Sequence, residues 1–171
     1  GISHLDLLVL THYDLDHIGG ASAVFGKVDH VIKGVPENVE DERLHRMLCS
    51  PPTTCEVGRA GMHGQLGAFE WHVLWPDGRT LGMQAGNPGS ITVLIRSPEL
   101  SAIFLGDLGA AAQEALADTY PGLASVDVVK VAHHGSADTS GRLTSVLRPR
   151  IGLISVGADN GYGHPTRKAM D

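Results

Sequence analysis

The chain of 171 residues is 42% hydrophobic and 19% charged, a composition typical of one globular domain. No apolar run approaches the roughly 18 residues that cross a bilayer, and no signal peptide opens the sequence. The formal net charge of −6 argues against a protein that coats nucleic acid, although it does not exclude an enzyme whose metal ions attract phosphate.

Hydrophobic periodicity and turn residues predict an alternation of strands and helices along the chain. The segment 50–67 is rich in proline and glycine and is predicted to be a loop, and 165–171 resembles the start of a helix. Strands are predicted at 5–10, 28–33, 69–75, 91–96, 102–105, 126–132 and 151–156, and helices at 16–25, 38–48, 110–117 and 139–147. This order alone indicates an α/β or α+β fold.

The segment 11–20 holds four candidate metal ligands directly after the first predicted strand, in the sequence THYDLDHIGG. His12 and Asp14 are two positions apart, so in an extended segment their side chains leave the same face. Asp16 and His17 are adjacent, where the chain turns into a helix, and so point elsewhere. One loop can therefore hold two neighbouring cations, whereas a loop that only caps a helix leaves both histidines unexplained.

This loop resembles the HxHxDH signature of the metallo-β-lactamase superfamily, with Asp14 where the second histidine usually stands. Together with two later segments, DVVKVAHHGS at 127–136 and SVGADNGYGHP at 155–165, it resembles the C-terminal hydrolase-like domain of the ComEC family of DNA-uptake channels. The resemblance implies an αββα sandwich. It also implies that 1–171 is a single partial domain without its N-terminal strands and C-terminal helix. We therefore expect an uncovered sheet, covered by the parent channel domain or by a second copy in a dimer.

The resemblance also assigns the remaining site residues. Asp107 ends an apolar strand and is expected to bridge two cations, although an aspartate here could also cap the following helix. His133 is expected to be the last metal ligand, and its neighbour His134 a catalytic group that contacts phosphate or protonates a leaving oxygen. The sequence alone cannot order these two histidines. His164 is expected at the rim of the site as a further catalytic residue, with Asp16 acting both as a ligand and in catalysis.

Asn87 stands where many members of the superfamily have a histidine ligand. An amide oxygen in place of a nitrogen donor favours Mn²⁺ or Mg²⁺ over Zn²⁺ for the two divalent ions. His63 or His72 would substitute for the lost nitrogen if the intervening loop folded inward.

The implied activity is two-metal hydrolysis of phosphodiesters, with DNA as substrate during competence-linked uptake, where the strand that is not imported is degraded. The alternatives are another phosphodiesterase or esterase of the same fold and a non-catalytic docking domain of the channel. The resemblance further implies a domain of a bacterial membrane protein at the extracytoplasmic face. That context favours a disulfide between Cys49 and Cys55 over two free thiols.

Five basic residues cluster late in the sequence and are interpreted either as a rim that attracts phosphate or as a solvated face. They are Arg142, Arg148, Arg150, Arg167 and Lys168.

Overall fold

The computed structural model describes residues 3–78 and 85–170. The strands are β1 (Leu5–Leu10), β2 (Val28–Lys33), β3 (Thr54–Val57), β4 (His63–Leu66), β5 (Phe69–Trp75), β6 (Thr92–Arg96), β7 (Ser101–Phe104), β8 (Val128–Lys130) and β9 (Ile151–Leu153). The helices are α1 (Leu15–Ile18), α2 (Val39–Leu48), α3 (Ala110–Thr119), α4 (Gly141–Leu147) and α5 (Arg167–Met170), with 3₁₀ turns at Ala21–Val24, Asn87–Gly89 and Ala132–Gly135.

The strands form two sheets. The first is parallel, with the order β1-β2-β3, and the second has the order β4-β5-β6-β7-β8-β9. Within the second sheet β4 to β7 are antiparallel neighbours, whereas β7, β8 and β9 run parallel to one another. Parallel neighbours need crossover connections, and α3 and α4 supply them.

Three apolar clusters hold these layers together. Ile32 of β2 packs with Val73, Ile91 and Val93 between the two sheets. A second cluster covers the outer face of the six-stranded sheet with α3 and α4, and a third covers the outer face of the three-stranded sheet with α2 and the 3₁₀ turn at Ala21–Val24. The result is the αββα sandwich that the family resemblance implies.

Two predicted elements are wrong, for physical reasons. The helix predicted at 16–25 is broken into α1 and a 3₁₀ turn, because Gly19 and Gly20 interrupt it. The loop predicted at 50–67 contains β3 and β4. β3 exists because Thr54 to Val57 pair with β2, more than twenty residues away, and local propensity does not reveal such pairing.

The second sheet has an uncovered inner face. Phe104 and Leu153 lie in the same cross-strand row as Val93, which belongs to the core between the sheets. Phe104 is nevertheless 39% exposed and Leu153 50%, and Ile151 is 54% exposed. A three-stranded sheet cannot cover a six-stranded one, and these exposures agree with the uncovered face predicted from the sequence. What covers it stays a prediction.

Cys49 and Cys55 form a disulfide, as the sequence analysis favours. The bond joins the end of α2 to β3. Among the described residues, no helix has both the length and the apolar character needed to cross a membrane.

Candidate metal centre

Four side chains from both sheets converge at one end of the sandwich. Asp16 and His17 follow β1, Asp107 follows β7, and His134 follows β8. Their ligand atoms all lie within 4.8 Å of one another. The two oxygens of Asp107 face different rings, with Oδ1 3.1 Å from His17 Nε2 and Oδ2 3.3 Å from His134 Nε2. Two carboxylates and two imidazoles in this arrangement form a donor set suited to a divalent cation.

The hydrogen bond from His134 Nδ1 leaves the lone pair of its Nε2 available to a cation. Nδ1 lies 2.7 Å from the Ser155 carbonyl oxygen, which can only accept, so Nδ1 carries the proton. In the neutral ring Nε2 is then unprotonated. This atom lies 3.3 Å from His17 Nε2 and 3.0 Å from Asp16 Oδ2. A carbonyl that fixes the tautomer of a histidine is a common feature around metal ligands.

A second group of donors lies beside this cluster. The His12 ring is 4.0 Å, centroid to centroid, from that of His17, and His12 Nε2 lies 3.6 Å from Asp14 Oδ2. His12 Nε2 is buried without a hydrogen-bond partner among the described residues, and the equally buried Asp107 Oδ1 faces His17 Nε2 at 3.1 Å. Unpaired buried donors and acceptors are costly, and a cation between such atoms would satisfy them. The residues therefore fit a metal centre.

Two hydroxyl groups hold the first histidines in place. Thr11 Oγ1 lies 3.0 Å from His12 Nδ1 and 3.4 Å from His17 Nδ1. Ser90 Oγ contacts His12 Nδ1 at 3.2 Å and accepts a hydrogen bond from the backbone N–H of Asp107. Both imidazoles consequently turn Nε2 toward the cluster. Sequence reasoning missed Thr11 and Ser90, because nothing in their spacing marks them as partners of the ligands.

Gly106 permits this close approach. Its φ is +56°, and a Cβ added there would lie 2.9 Å from the Ser90 Cβ. Only glycine tolerates both this positive φ and this close contact with Ser90. Gly106 therefore lets the end of β7 pack against the loop that follows β1.

Burial, hydrogen bonds and charge interactions shift the pKa values of His12, His17 and Asp107. Burial acts to lower the pKa of His17, but its hydrogen bond and charge interaction with Asp107 outweigh burial and raise that pKa. Burial acts to raise the pKa of Asp107, but His17 and His134 lower it overall. Burial, followed by the charge of His17, lowers the pKa of His12. A neutral His12 keeps the Nε2 lone pair that a metal ligand needs.

The twin histidines lie in a left-handed turn, not on a strand. β8 ends at Lys130, and φ is +46° at His133 and +53° at His134. This differs from the strand predicted at 126–132, where adjacent side chains would point to opposite faces. The turn sends His134 into the cluster, while His133 Nε2 stays 4.0 Å from Asp107 Oδ2. The geometry thus places His134 in the cluster and leaves His133, the ligand expected from the resemblance, outside it.

The other predicted residues are not members of the four-residue cluster. Asn87 begins a 3₁₀ turn that leads to Ser90, and its Oδ1 is buried without a hydrogen-bond partner in the described chain. His63 and His72 face each other across the β4–β5 hairpin, with ring centroids 5.9 Å apart, and do not substitute for the missing nitrogen donor. The His164 ring is 5.7 Å from that of His133.

Two adjoining clefts of about 450 and 470 Å³ open over the cluster. Asp16, His134, Tyr162 and His164 line both of them. None of the five late basic residues lines either cleft. Arg142 instead pairs with Asp118 and Glu114, Arg150 pairs with Asp127, and Lys168 donates to a backbone carbonyl. Of the two interpretations of these basic residues, the phosphate-attracting rim is therefore not formed at these clefts, and the solvated face agrees with their contacts.

Comparisons with known proteins agree with this geometry. The chain is 31% identical to ComE operon protein 3 of Bacillus subtilis, over 99% of its own length and 22% of that protein. It is also 31% identical to competence protein ComA of Neisseria gonorrhoeae, over 100% of its length and 23% of that protein. The chain thus spans less than a quarter of the length of each of these relatives.

Among solved structures, the chain resembles CmlA, a diiron β-hydroxylase from Streptomyces venezuelae, with a TM-score of 0.63 at 16% identity. The match covers 91% of this chain and 36% of that one, and it shows a shared fold. Residues 1–157 match the family described as the metallo-beta-lactamase superfamily. The chain therefore belongs to the metallo-β-lactamase superfamily, in a branch that resembles the ComEC-family competence proteins.

Proposed function

We propose that this domain is a metal-dependent phosphodiesterase that cleaves DNA during competence. The observation that carries the proposal is the convergence of Asp16, His17, Asp107 and His134 beside an open cleft, which all but His17 line. Relatives named for competence support DNA as the substrate, because a cell that takes up DNA needs enzymes that process it.

Seven residues would hold two divalent cations. Asp107 would be shared by both positions, because it lies in the cluster with Asp16, His17 and His134 and its charge also acts on His12. One position takes Asp16, His17 and His134, and the other takes His12 and Asp14, with Asn87 as a further oxygen donor. Carboxylate oxygens are numerous in this set, which favours Mn²⁺ or Mg²⁺ over Zn²⁺. When bound, such ions supply a water that ionises near neutral pH and neutralise charge on the phosphate.

The chain's own groups orient and complete the reaction. The Asp16 side chain is 61% exposed and lines both clefts, so it can accept the proton of the attacking water while it remains beside His134. His133 and His164 line one cleft with Asp107, where they can hydrogen-bond phosphate oxygens or protonate the leaving oxygen. Thr11 and Ser90 orient the His12 ring, and the Ser155 carbonyl fixes the tautomer of His134.

The test is hydrolysis of a DNA oligonucleotide with Mn²⁺, Mg²⁺ or Zn²⁺, against a chelator control. Asp16→Ala and Asp107→Ala should each lower kcat/KM by at least about 100-fold, since even residues that only orient ligands contribute about 10–100-fold. Asp118→Ala, on the far surface in an ion pair with Arg142, is the matched control and should be unaffected. DNA cleavage that survives both active-site substitutions rejects the mechanism.

The same experiment separates the alternatives. Hydrolysis of small phosphodiesters or esters without hydrolysis of DNA would favour another hydrolase of this fold. Failure to bind any divalent cation would favour a docking domain of the channel.

We also propose that the domain lies at the extracytoplasmic face of a membrane protein. The support is the Cys49–Cys55 disulfide, since such bonds persist in oxidising compartments. Trapping of free thiols in intact cells tests this placement, and two alkylated cysteines would contradict it.

A further inference from the structure

The clefts over the metal centre have apolar walls. Leu15 is 79% exposed and lines one cleft, Val156 is 42% exposed and lines the other, and Tyr162 is 86% exposed and lines both. Large exposed apolar side chains grouped around one site indicate a surface that binds something. Phosphate groups do not need such walls, whereas the faces of nucleobases do.

Tyr162 stands at the tip of a loop that is closed on itself. The side chain of Asn160 donates to the His164 carbonyl oxygen at 2.9 Å and accepts from the His164 backbone N–H at 3.1 Å. Glycines at 161 and 163 flank the tyrosine. The ring is therefore presented to solvent by a short, braced loop, so little further ordering is needed when a ligand contacts it.

A series of ring contacts links Tyr162 to the metal centre. Its ring lies nearly parallel to that of His164, with an interplanar angle of 25° and centroids 6.0 Å apart. The His164 ring meets that of His133 edge-on at 5.7 Å, and His133 Nε2 is 4.0 Å from Asp107. A flat group on Tyr162 would thus lie along the same cleft as a phosphate held at the metal centre.

The residues that line the clefts indicate whether single-stranded or duplex DNA fits them better. No described residue that lines either cleft is a lysine or an arginine. Duplex DNA hides its base faces and is held mainly through its phosphates by such cations. A single strand offers its base faces to aromatic rings, and stacking of this kind is tolerant of sequence. The clefts therefore match an unpaired strand better than a duplex.

From these observations we infer that Tyr162 is the stacking platform for an unpaired nucleobase next to the scissile phosphate, so that the site selects single-stranded over duplex DNA. This inference rests on the proposed function. It assigns Tyr162 to substrate binding and not to the chemical step.

The test measures binding separately from cleavage. Fluorescence anisotropy with a labelled single-stranded oligonucleotide, in Ca²⁺ in place of Mn²⁺, compares the unaltered protein with Tyr162→Ala, Tyr162→Phe and Phe69→Ala. Tyr162→Ala should weaken binding by about 10-fold, consistent with the loss of one stacked base. Tyr162→Phe should retain binding, and Phe69→Ala, an exposed aromatic outside the clefts, is the matched control. The unaltered protein and Tyr162→Ala should bind a strand of abasic sites equally weakly, because it offers no base to stack. The unaltered protein should bind a matching duplex about 10-fold more weakly than the single strand.

The outcomes distinguish this inference from the proposed function. Equal binding by Tyr162→Ala and the unaltered protein, or a duplex bound as tightly as the single strand, overturns the inference even if DNA is hydrolysed. Tyr162-dependent binding without hydrolysis in any metal supports it while the proposed function fails.

Discussion

At the scale of single residues, the assignment of His134 depends on one carbonyl group. Ser155 lies 21 positions along the chain, and its oxygen decides which nitrogen of His134 is protonated. The sequence indicates that one of two adjacent histidines is a ligand, but not which one, because the answer lies in a left-handed turn. Backbone conformations of this kind are uncommon outside glycine and are not visible in a residue pattern.

The first prediction separates the two histidines. His134→Ala should lower the affinity for Mn²⁺ by at least about 100-fold, because it removes a donor of the cluster. His133→Ala should leave the affinity within a few-fold, because its Nε2 is 4.0 Å from the shared carboxylate. Calorimetric titration of the metal-free variants measures both affinities. The reverse order would restore the assignment made from the sequence.

At the scale of elements, the sequence reveals those stabilised locally and misses those stabilised by distant partners. The bounds predicted for β1, β2 and β5 are those observed, because each is a compact apolar run between turn residues. The first ligand loop is also recognisable, since its four donors lie within six positions. β3 is missed because its partner is far along the chain, and the end of β8 because its left-handed turn depends on tertiary contacts.

Asp127 joins the starts of three parallel strands and gives the second prediction. Its carboxylate accepts from the backbone N–H and hydroxyl of Ser101, both at 2.9 Å, and from Arg150 at 3.4 Å. These bonds lower the pKa of Asp127, and the bond from the Ser101 backbone N–H has the largest effect. A carboxyl whose pKa is lowered on folding stabilises the fold above its unfolded pKa, and that stabilisation is lost as the pH falls through the folded pKa.

Asp127→Asn should therefore lower the urea midpoint at pH 7, and the difference from the unaltered protein should shrink as the pH falls below the ordinary aspartate value of 3.8. Asp118→Asn breaks only a surface ion pair with Arg142 and is the control, with little change at any pH. A difference that stayed constant down to strongly acidic pH would contradict the role assigned to the charge.

At the scale of the whole molecule, the metal centre lies where the two sheets meet. Asp16 and His17 belong to the three-stranded sheet through β1, and Asp107 and His134 belong to the six-stranded sheet through β7 and β8. Ser90 joins the two sides, because its hydroxyl contacts His12 and accepts from the backbone N–H of Asp107. A cation held by all four ligands would therefore link the sheets and favour the folded state.

Accordingly, Mn²⁺ at about 100 times its dissociation constant should raise the free energy of unfolding by about 2.7 kcal/mol. Thermal or urea unfolding with and without the metal measures this shift. Asp107→Asn should abolish it, because the shared carboxylate is lost. An equal shift in that variant would mean that the metal binds elsewhere.

The fourth prediction concerns the left-handed turn itself. Neither His133 nor His134 is a residue that prefers a positive φ, and such conformations cost of order 1 kcal/mol or more each. His133→Gly should consequently raise the free energy of unfolding by about 0.5 kcal/mol, measured by urea denaturation. No gain in stability would mean that contacts of the His133 ring already offset the unfavourable backbone.

At the two adjacent positions of this turn, the stability of the fold and the proposed activity favour different residues. Selection for stability alone would replace both histidines with glycine, whereas selection for the proposed activity would keep both imidazoles. A homologue that has lost the proposed activity is thus expected to carry substitutions at these two positions first, before its hydrophobic core changes.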